Sequence, residues 1–168
     1  MEYVDFEWYA VEYGGDLDND TFLKNAKKAF RKMDVYTTGI DGFKKLVDAF
    51  PDSGYDSEAV KLCACGLIDL MAQVDAEKKS AAMLSGVTVR EDGTAHSNMV
   101  SSVSSGTESI SYATGGSGSR STAVSEAIKS INSENELYFT FINDALSGVS
   151  DKNGVNLLYM GRYPYRRV

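Results

Sequence analysis

Apolar positions along this chain follow a helical spacing, give way to a polar stretch that alternates, and then return to helical spacing. Residues 3–13 hold seven large apolar or aromatic side chains, with Phe6, Tyr9 and Tyr13 at i, i+3 and i+7. That spacing predicts a short helix laid on a core, closed by Gly14-Gly15, where glycine tolerates the left-handed ending conformation. Asp20-Thr21-Phe22 reads as the next helix start, with Phe22, Leu23, Ala26, Ala29, Phe30 and Met33 on one side. Lys24, Lys27, Lys28, Arg31 and Lys32 fill the other, out to about Tyr36. Between Ile40 and Tyr55 a turn of helix through Phe43, Leu46, Val47 and Phe50 is cut by Pro51 and Asp52-Ser53-Gly54.

The segment capped by Asp56 or Ser57 is the clearest core element. Val60, Ala64, Leu67, Met71 and Val74 form one stripe, and Leu62, Cys63, Ile68 and Leu70 widen it far beyond a single face. A helix apolar around so much of its circumference is expected to be surrounded by protein. Polarity returns at Asp75–Lys79, and Ala81-Ala82-Met83-Leu84 extends the pattern towards Gly86. From Ser85 to Thr122 the periodicity vanishes: 22 of 38 residues are Ser, Thr or Gly. Val87-Thr-Val89 before Asp92-Gly93, and Thr107-Glu-Ser-Ile110-Ser-Tyr112, alternate with period two. One reading is a flexible linker. Met99, Val100, Val103, Ile110 and Tyr112, which a spacer does not need, favour a long loop or β-hairpin arm over residues 85–120 that orders against a partner.

Helical spacing resumes near Ser121 or Thr122 through Val124, Ala127-Ile128, Ile131, Tyr138, Ile142 and Leu146, with a break expected around Asn132–Asn135 and an end at Gly148. In the tail, Pro164 argues against a terminal helix, so residues 149–168 read as an extended C-terminal arm. The expected fold is mainly α: one small helical bundle over residues 1–168, its core from about 3–84 and 121–148.

Composition and charge narrow the class. The chain has 168 residues, 43% hydrophobic and 24% charged, a globular balance able to bury a core. Its net charge of −7 is local. Residues 1–20 carry seven acids and no base, whereas residues 162–168 carry Arg162, Arg166 and Arg167 and no acid. No basic stripe suits phosphate gripping, and no apolar run approaches a membrane span; the opening lacks the pattern of a secretory signal. Cys63 and Cys65 point apart on a helix and read as small buried residues of a reducing compartment.

Catalytic constellations are missing from the pattern. His96, the one histidine, has no orienting base or nucleophile beside it. Cys63-Ala-Cys65 lacks the further ligands of a zinc site. Asp16-Leu-Asp18-Asn-Asp20 opens like a calcium loop, but Thr21 stands at the sixth position and Lys27 at the twelfth, so the motif is rejected. Gly115-Gly-Ser-Gly-Ser-Arg120-Ser-Thr fits neither glycine signature of nucleotide sites and reads as a joint before a helix. No enzyme, metal or cofactor is expected. A small enzyme with an unrecognised site is the least favoured reading.

Four segments, in order, resemble the head–tail connector (adaptor, or head-completion) proteins of long-tailed bacteriophages. They are the aromatic opening Phe6-Glu-Trp-Tyr9-Ala-Val-Glu-Tyr13-Gly14-Gly15, the helix Glu58-Ala-Val-Lys through Leu70, the stretch Val103-Ser-Ser-Gly-Thr-Glu-Ser-Ile-Ser-Tyr112, and the closing Gly154-Val-Asn-Leu-Leu-Tyr159-Met-Gly161. The tail Arg162-Tyr-Pro-Tyr-Arg-Arg-Val168 continues past the point where family members often end. The resemblance implies a virion protein, made in the host bacterial cytoplasm, that forms a dodecameric ring at the capsid vertex. Its implied partners are further copies of itself, the portal protein and a head-closure or tail-completion protein. DNA passes through the channel without sequence-specific binding, and no membrane is involved. The alternative is a cytosolic helical interaction module unrelated to phage.

Within that frame, Thr107, Glu108, Ile110 and Tyr112 are candidates for strand addition or packing on an adjacent subunit. Leu157, Leu158, Tyr159, Arg162, Tyr163, Tyr165, Arg166 and Arg167 are candidates for docking onto the portal or the next subunit, with the tyrosines as anchors. Glu2, Asp5, Glu7 and Glu12 are candidates for an acidic band that either lines the channel and repels DNA or meets a basic surface during assembly.

Overall fold

The computed structural model describes residues 2–52, 54–84, 87–89, 95–97, 102–105, 108–111 and 130–165, with side chains for 2–52, 54–80 and 130–165. It is mainly helical. The order is α1 (Phe6–Trp8), a π turn (Tyr9–Tyr13), α2 (Asn19–Thr37), α3 (Lys45–Asp48), α4 (Tyr55–Leu84), four short strands, and α5 (Ile131–Ala145). The strands pair as two antiparallel ladders: β1 (Val87–Val89) with β2 (Ala95–Ser97), and β3 (Ser102–Ser105) with β4 (Glu108–Ser111). Val103 stands opposite Ile110 in the second ladder.

Helix α4 is the axis of the bundle, with α2, α5 and the π turn packed along it. Val60, Cys63, Ala64, Cys65, Leu67, Ile68, Met71 and Val74 are all buried, which is why its apolar positions exceed one stripe. Both cysteines are free, and burial pushes each thiol up to about 12, so they serve as packing groups. A single apolar cluster runs from Tyr3 and Val4 through the helices to Leu157. Each covering helix lays its own stripe on α4: Phe22, Ala26, Ala29, Phe30 and Met33 from α2, Tyr138 and Ile142 from α5.

Element ends differ from the periodic reading where capping chemistry decides them. Asp18, two residues before the predicted start, caps α2 by accepting from the Thr21 amide at 3.0 Å. Helix α4 begins at Tyr55, directly after Gly54 at φ 86, one residue before the predicted cap. Ser130 accepts from the Ser133 amide at 3.1 Å, so a helix begins at Ile131 where a kink at 132–135 was expected. Residues 112–129 lie outside the described set. The opening segment is not one α-helix either. After Trp8 it widens into the π turn, and Gly14, left-handed at φ 75, donates its amide to the Tyr9 carbonyl.

That widening places the Tyr9 ring against Gly15. Tyr9 is fully buried, and a Cβ on Gly15 would sit 2.0 Å from its ring. The Tyr9 hydroxyl donates to Asp69 of α4 at 2.5 Å. The same device recurs. Tyr3 donates to Asp34, Tyr138 to Glu134 at 2.9 Å, and Tyr163 to Asp151 at 2.5 Å. Burial first, and the carboxylates second, push the hydroxyls of Tyr3, Tyr9 and Tyr138 well above the ordinary phenol value. Tyr13 and Tyr163 rise to about 12.

Two outcomes are expected. Gly15→Ala forces the pinned Tyr9 ring to move and costs about 1–3 kcal/mol, read as a lowered thermal midpoint at roughly 2–4 °C per kcal/mol. The tyrosines set an alkaline limit. A raised phenol pKa stabilises the folded chain fully below about pH 10, and that contribution is lost as the pH climbs through the folded values. Circular dichroism at 222 nm should hold to about pH 10 and collapse above it, together with a step in tyrosinate absorbance.

Candidate interaction surface

The described part of the C-terminal segment, residues 149–165, is irregular, without a helix, but it is fastened to its own chain. Lys45, in the short helix α3, is buried (1% exposed). Its Nζ donates to the carbonyls of Thr37 at 2.6 Å and Tyr159 at 2.7 Å. The first is a terminal carbonyl of α2, left without an intrahelical partner, and the second belongs to the tail, so one ammonium joins the two. Burial pulls the Lys45 pKa down, opposed by the charges of Asp151 and Asp41.

Around this lysine the backbone of residues 39–49 meets that of 149–163. The amide of Ile40 donates to the Met160 carbonyl at 3.0 Å, and that of Lys152 to the Ala49 carbonyl at 3.3 Å. Asp41 accepts from the amides of Phe43 and Tyr163. Buried Asp151 accepts from the amides of Asn153 and Val155, both at 2.9 Å, and from the Tyr163 hydroxyl. The Tyr163 ring stacks on Phe43 with centroids 3.8 Å apart. Gly39 and Gly161 permit the close approach: a Cβ on Gly39 would meet the Gly161 carbonyl at 2.9 Å, and one on Gly161 would collide with the Tyr159 ring. The Tyr159-Met-Gly161 turn is thus a packing unit.

This corrects part of the docking assignment. Leu157 and Tyr163 are buried in their own chain and are not free to anchor a partner, while Leu158 is half-buried at the edge of the core. Tyr159, Arg162 and Tyr165 are exposed. Beside them stand two exposed residues the sequence reading did not select, Ile40 (83% exposed) and Met160 (56% exposed). They neighbour each other through the backbone bond just described, and Tyr159 and Tyr165 add two further exposed apolar side chains on the same fastened segment.

Glu2, Asp5, Glu7 and Glu12 are all exposed, but Glu2 and Asp5 border a groove of about 400 Å³ that also presents Lys27 and Arg31. Asp5 also caps α1 through the Trp8 amide at 2.8 Å. Asp16, Asp18 and Asp20 border a separate cleft against α4. Of the loop candidates, Glu108 and Ile110 lie in β4, paired with β3 of the same chain, while Thr107, Tyr112, Arg166 and Arg167 lie outside the described residues.

Among the described residues no three or more His, Cys, Asp or Glu side chains group to hold a metal ion, and no helix is long and apolar enough to cross a membrane. No family model, curated protein or solved structure matches the chain.

Removing the buried ammonium tests the clasp. Lys45→Met keeps the apolar stem and strands two carbonyls, at a cost of about 2–4 kcal/mol in denaturant unfolding. Limited proteolysis should then cut between residues 149 and 163 before the helices.

Proposed function

We propose that the chain is a structural subunit of the neck of a long-tailed phage. In this reading it assembles into a ring between the portal protein and the head-closure or tail proteins and extends the DNA channel. The observation that carries the reading is a set of exposed apolar side chains, Ile40, Tyr159, Met160 and Tyr165, carried on hydrogen-bonded backbone. An exposed apolar surface whose geometry is fixed loses little ordering entropy on docking, as suits a permanent assembly part. Three segments that carry the resemblance also act as joints. The aromatic opening meets the central helix through Tyr9 and Asp69, and the Tyr159-Met-Gly161 turn closes on Lys45.

The reading assigns the exposed face to a portal or neighbouring subunit and gives Arg162 a place at its rim. The acids near the N-terminus are divided: Glu2 and Asp5 share their groove with bases, which suits assembly better than repulsion of DNA.

Native mass spectrometry of the chain with and without a phage portal protein is the test. A ring or a portal complex is expected. The triple variant Ile40→Ser, Met160→Ser, Tyr165→Ser should weaken it at least about tenfold while helicity stays unchanged. Complexes unaffected by the triple change would remove this face from the interface. A monomer at high concentration with no portal affinity would favour a helical interaction module instead.

A further inference from the structure

Of the eight asparagines in the chain, only Asn153 is followed by glycine. An asparagine so placed is chemically reactive, because the next backbone nitrogen can attack the side-chain amide carbon and glycine has no side chain to obstruct it. The pair sits in the turn between Ser150 and Asn156, on the segment that Lys45 fastens through Tyr159. Gly154 is left-handed there, at φ 76, and Asn153 is exposed, so water reaches its amide.

Both reacting ends are occupied. The Gly154 amide, the nucleophile, donates to the Asp151 carbonyl at 2.9 Å. The Asn153 side-chain nitrogen, the leaving group, donates to the Tyr163 hydroxyl at 2.8 Å. That hydroxyl gives its one proton to the Asp151 carboxylate at 2.5 Å, so it accepts from Asn153, and the nitrogen rather than the oxygen of the amide must face it. The Asn153 backbone amide is held as well, by Asp151 Oδ1 at 2.9 Å. Asp151 and Tyr163 thus bind the two groups that would react, each on a different partner. A surface turn of this kind opens locally far more often than the whole molecule unfolds.

We infer that Asn153 is a deamidation site guarded by the fastening of the tail, and that reaction there makes a transient opening permanent. In the opened turn the Gly154 nitrogen yields its proton to hydroxide and attacks Asn153 Cγ. The new N–C bond forms, the Cγ–Nδ2 bond breaks, and the nitrogen departs as ammonia with a proton taken from water. Water then adds to one carbonyl of the cyclic imide and breaks that carbonyl's bond to the Gly154 nitrogen. Opening at Cγ leaves an aspartate. Opening at the backbone carbonyl leaves an isoaspartate, whose main chain runs through the former side chain.

Either product removes the donor that the Tyr163 hydroxyl accepts from and sets a second carboxylate beside that of Asp151. The isoaspartate also lengthens a main chain that must close the bonds from Gly154 and Val155 to Asp151. The turn does not recover its bonds, and Tyr163, stacked on Phe43, keeps one hold fewer. With it the exposed side chains of Tyr159 and Met160 lose part of their fixed placement.

The test incubates the full chain at mildly alkaline pH, folded and, in parallel, unfolded in guanidinium chloride. Trypsin, cutting after Lys152 and Arg162, releases residues 153–162, in which mass spectrometry reads the exchange of amide for acid and fragmentation places it at Asn153. The folded chain is expected to convert at least about tenfold more slowly than the unfolded one. Tyr163→Phe keeps the ring on Phe43 but frees the Asn153 nitrogen, and should speed conversion of the folded chain at least about threefold with unchanged circular dichroism. Asn153→Asp installs one product directly and should make limited proteolysis between residues 149 and 163 at least about threefold faster. Equal rates in the folded and unfolded chain, or no conversion in either, overturn the assignment. So does a Tyr163→Phe chain that reacts no faster than the unchanged one, and unaltered proteolysis of Asn153→Asp overturns the lasting opening of the tail.

Discussion

A helix that is apolar around most of its circumference can persist in water only if other elements cover it, and α4 sets that requirement for the whole molecule. Its buried side chains from Val60 to Val74 take up most of its circumference, while Leu62 and Gln73 face solvent. Helix α2 covers one flank, α5 another, and the aromatic opening lies over the Asp69 region through Tyr9. Apolar burial is non-directional, so it holds these elements against α4 without fixing their angles. The tyrosine–carboxylate bonds supply direction. The bond from Tyr9 to Asp69 ties the opening to α4, so that segment cannot slide along α4 without exposing the ring or stranding the acid, and the bond from Tyr3 to Asp34 ties it to α2 in the same way.

The period of the apolar positions was enough to read α2 and α4, because burial against a single partner surface leaves a spacing in the sequence. Ends were less readable. Asp18, Asp20 and Asn19 are all plausible helix-starting residues, and only the backbone bond to Thr21 decides among them. The short helix α3 was visible through Leu46 and Phe50, yet the role of its first residue was not. A lysine reads as solvent-facing, and nothing local marks Lys45 as buried, since the carbonyls it meets come from Thr37 and from Tyr159, 114 residues away.

The same distance limit explains the tail. Aromatic and arginine residues around a proline do suggest an arm, and the described residues 149–165 contain no helix. What the pattern cannot express is that Asp151, Asp41 and Lys45 form a receptor for it within the same chain. The tail's side chains therefore divide: Leu157 and Tyr163 hold it down, while Tyr159, Met160 and Tyr165 face outward. The inward residues thereby fix the positions of the outward ones. The N-terminal charge divides similarly. Asp5 and Asp18 begin helices, and only the acids without such a task are free to set the surface potential.

The Lys45 clasp also sets a clock for biosynthesis. A ribosome adds about 5–20 residues per second, so the carbonyl of Tyr159 is made roughly 6 to 23 s after the ammonium it receives. During that interval α2 and α4 can already pair, but α3 has an uncovered charge where the core should close. The amino-terminal half is therefore held short of its final packing until the tail arrives, and the exposed side chains of Tyr159 and Met160 take their places only in a chain whose synthesis has passed that point.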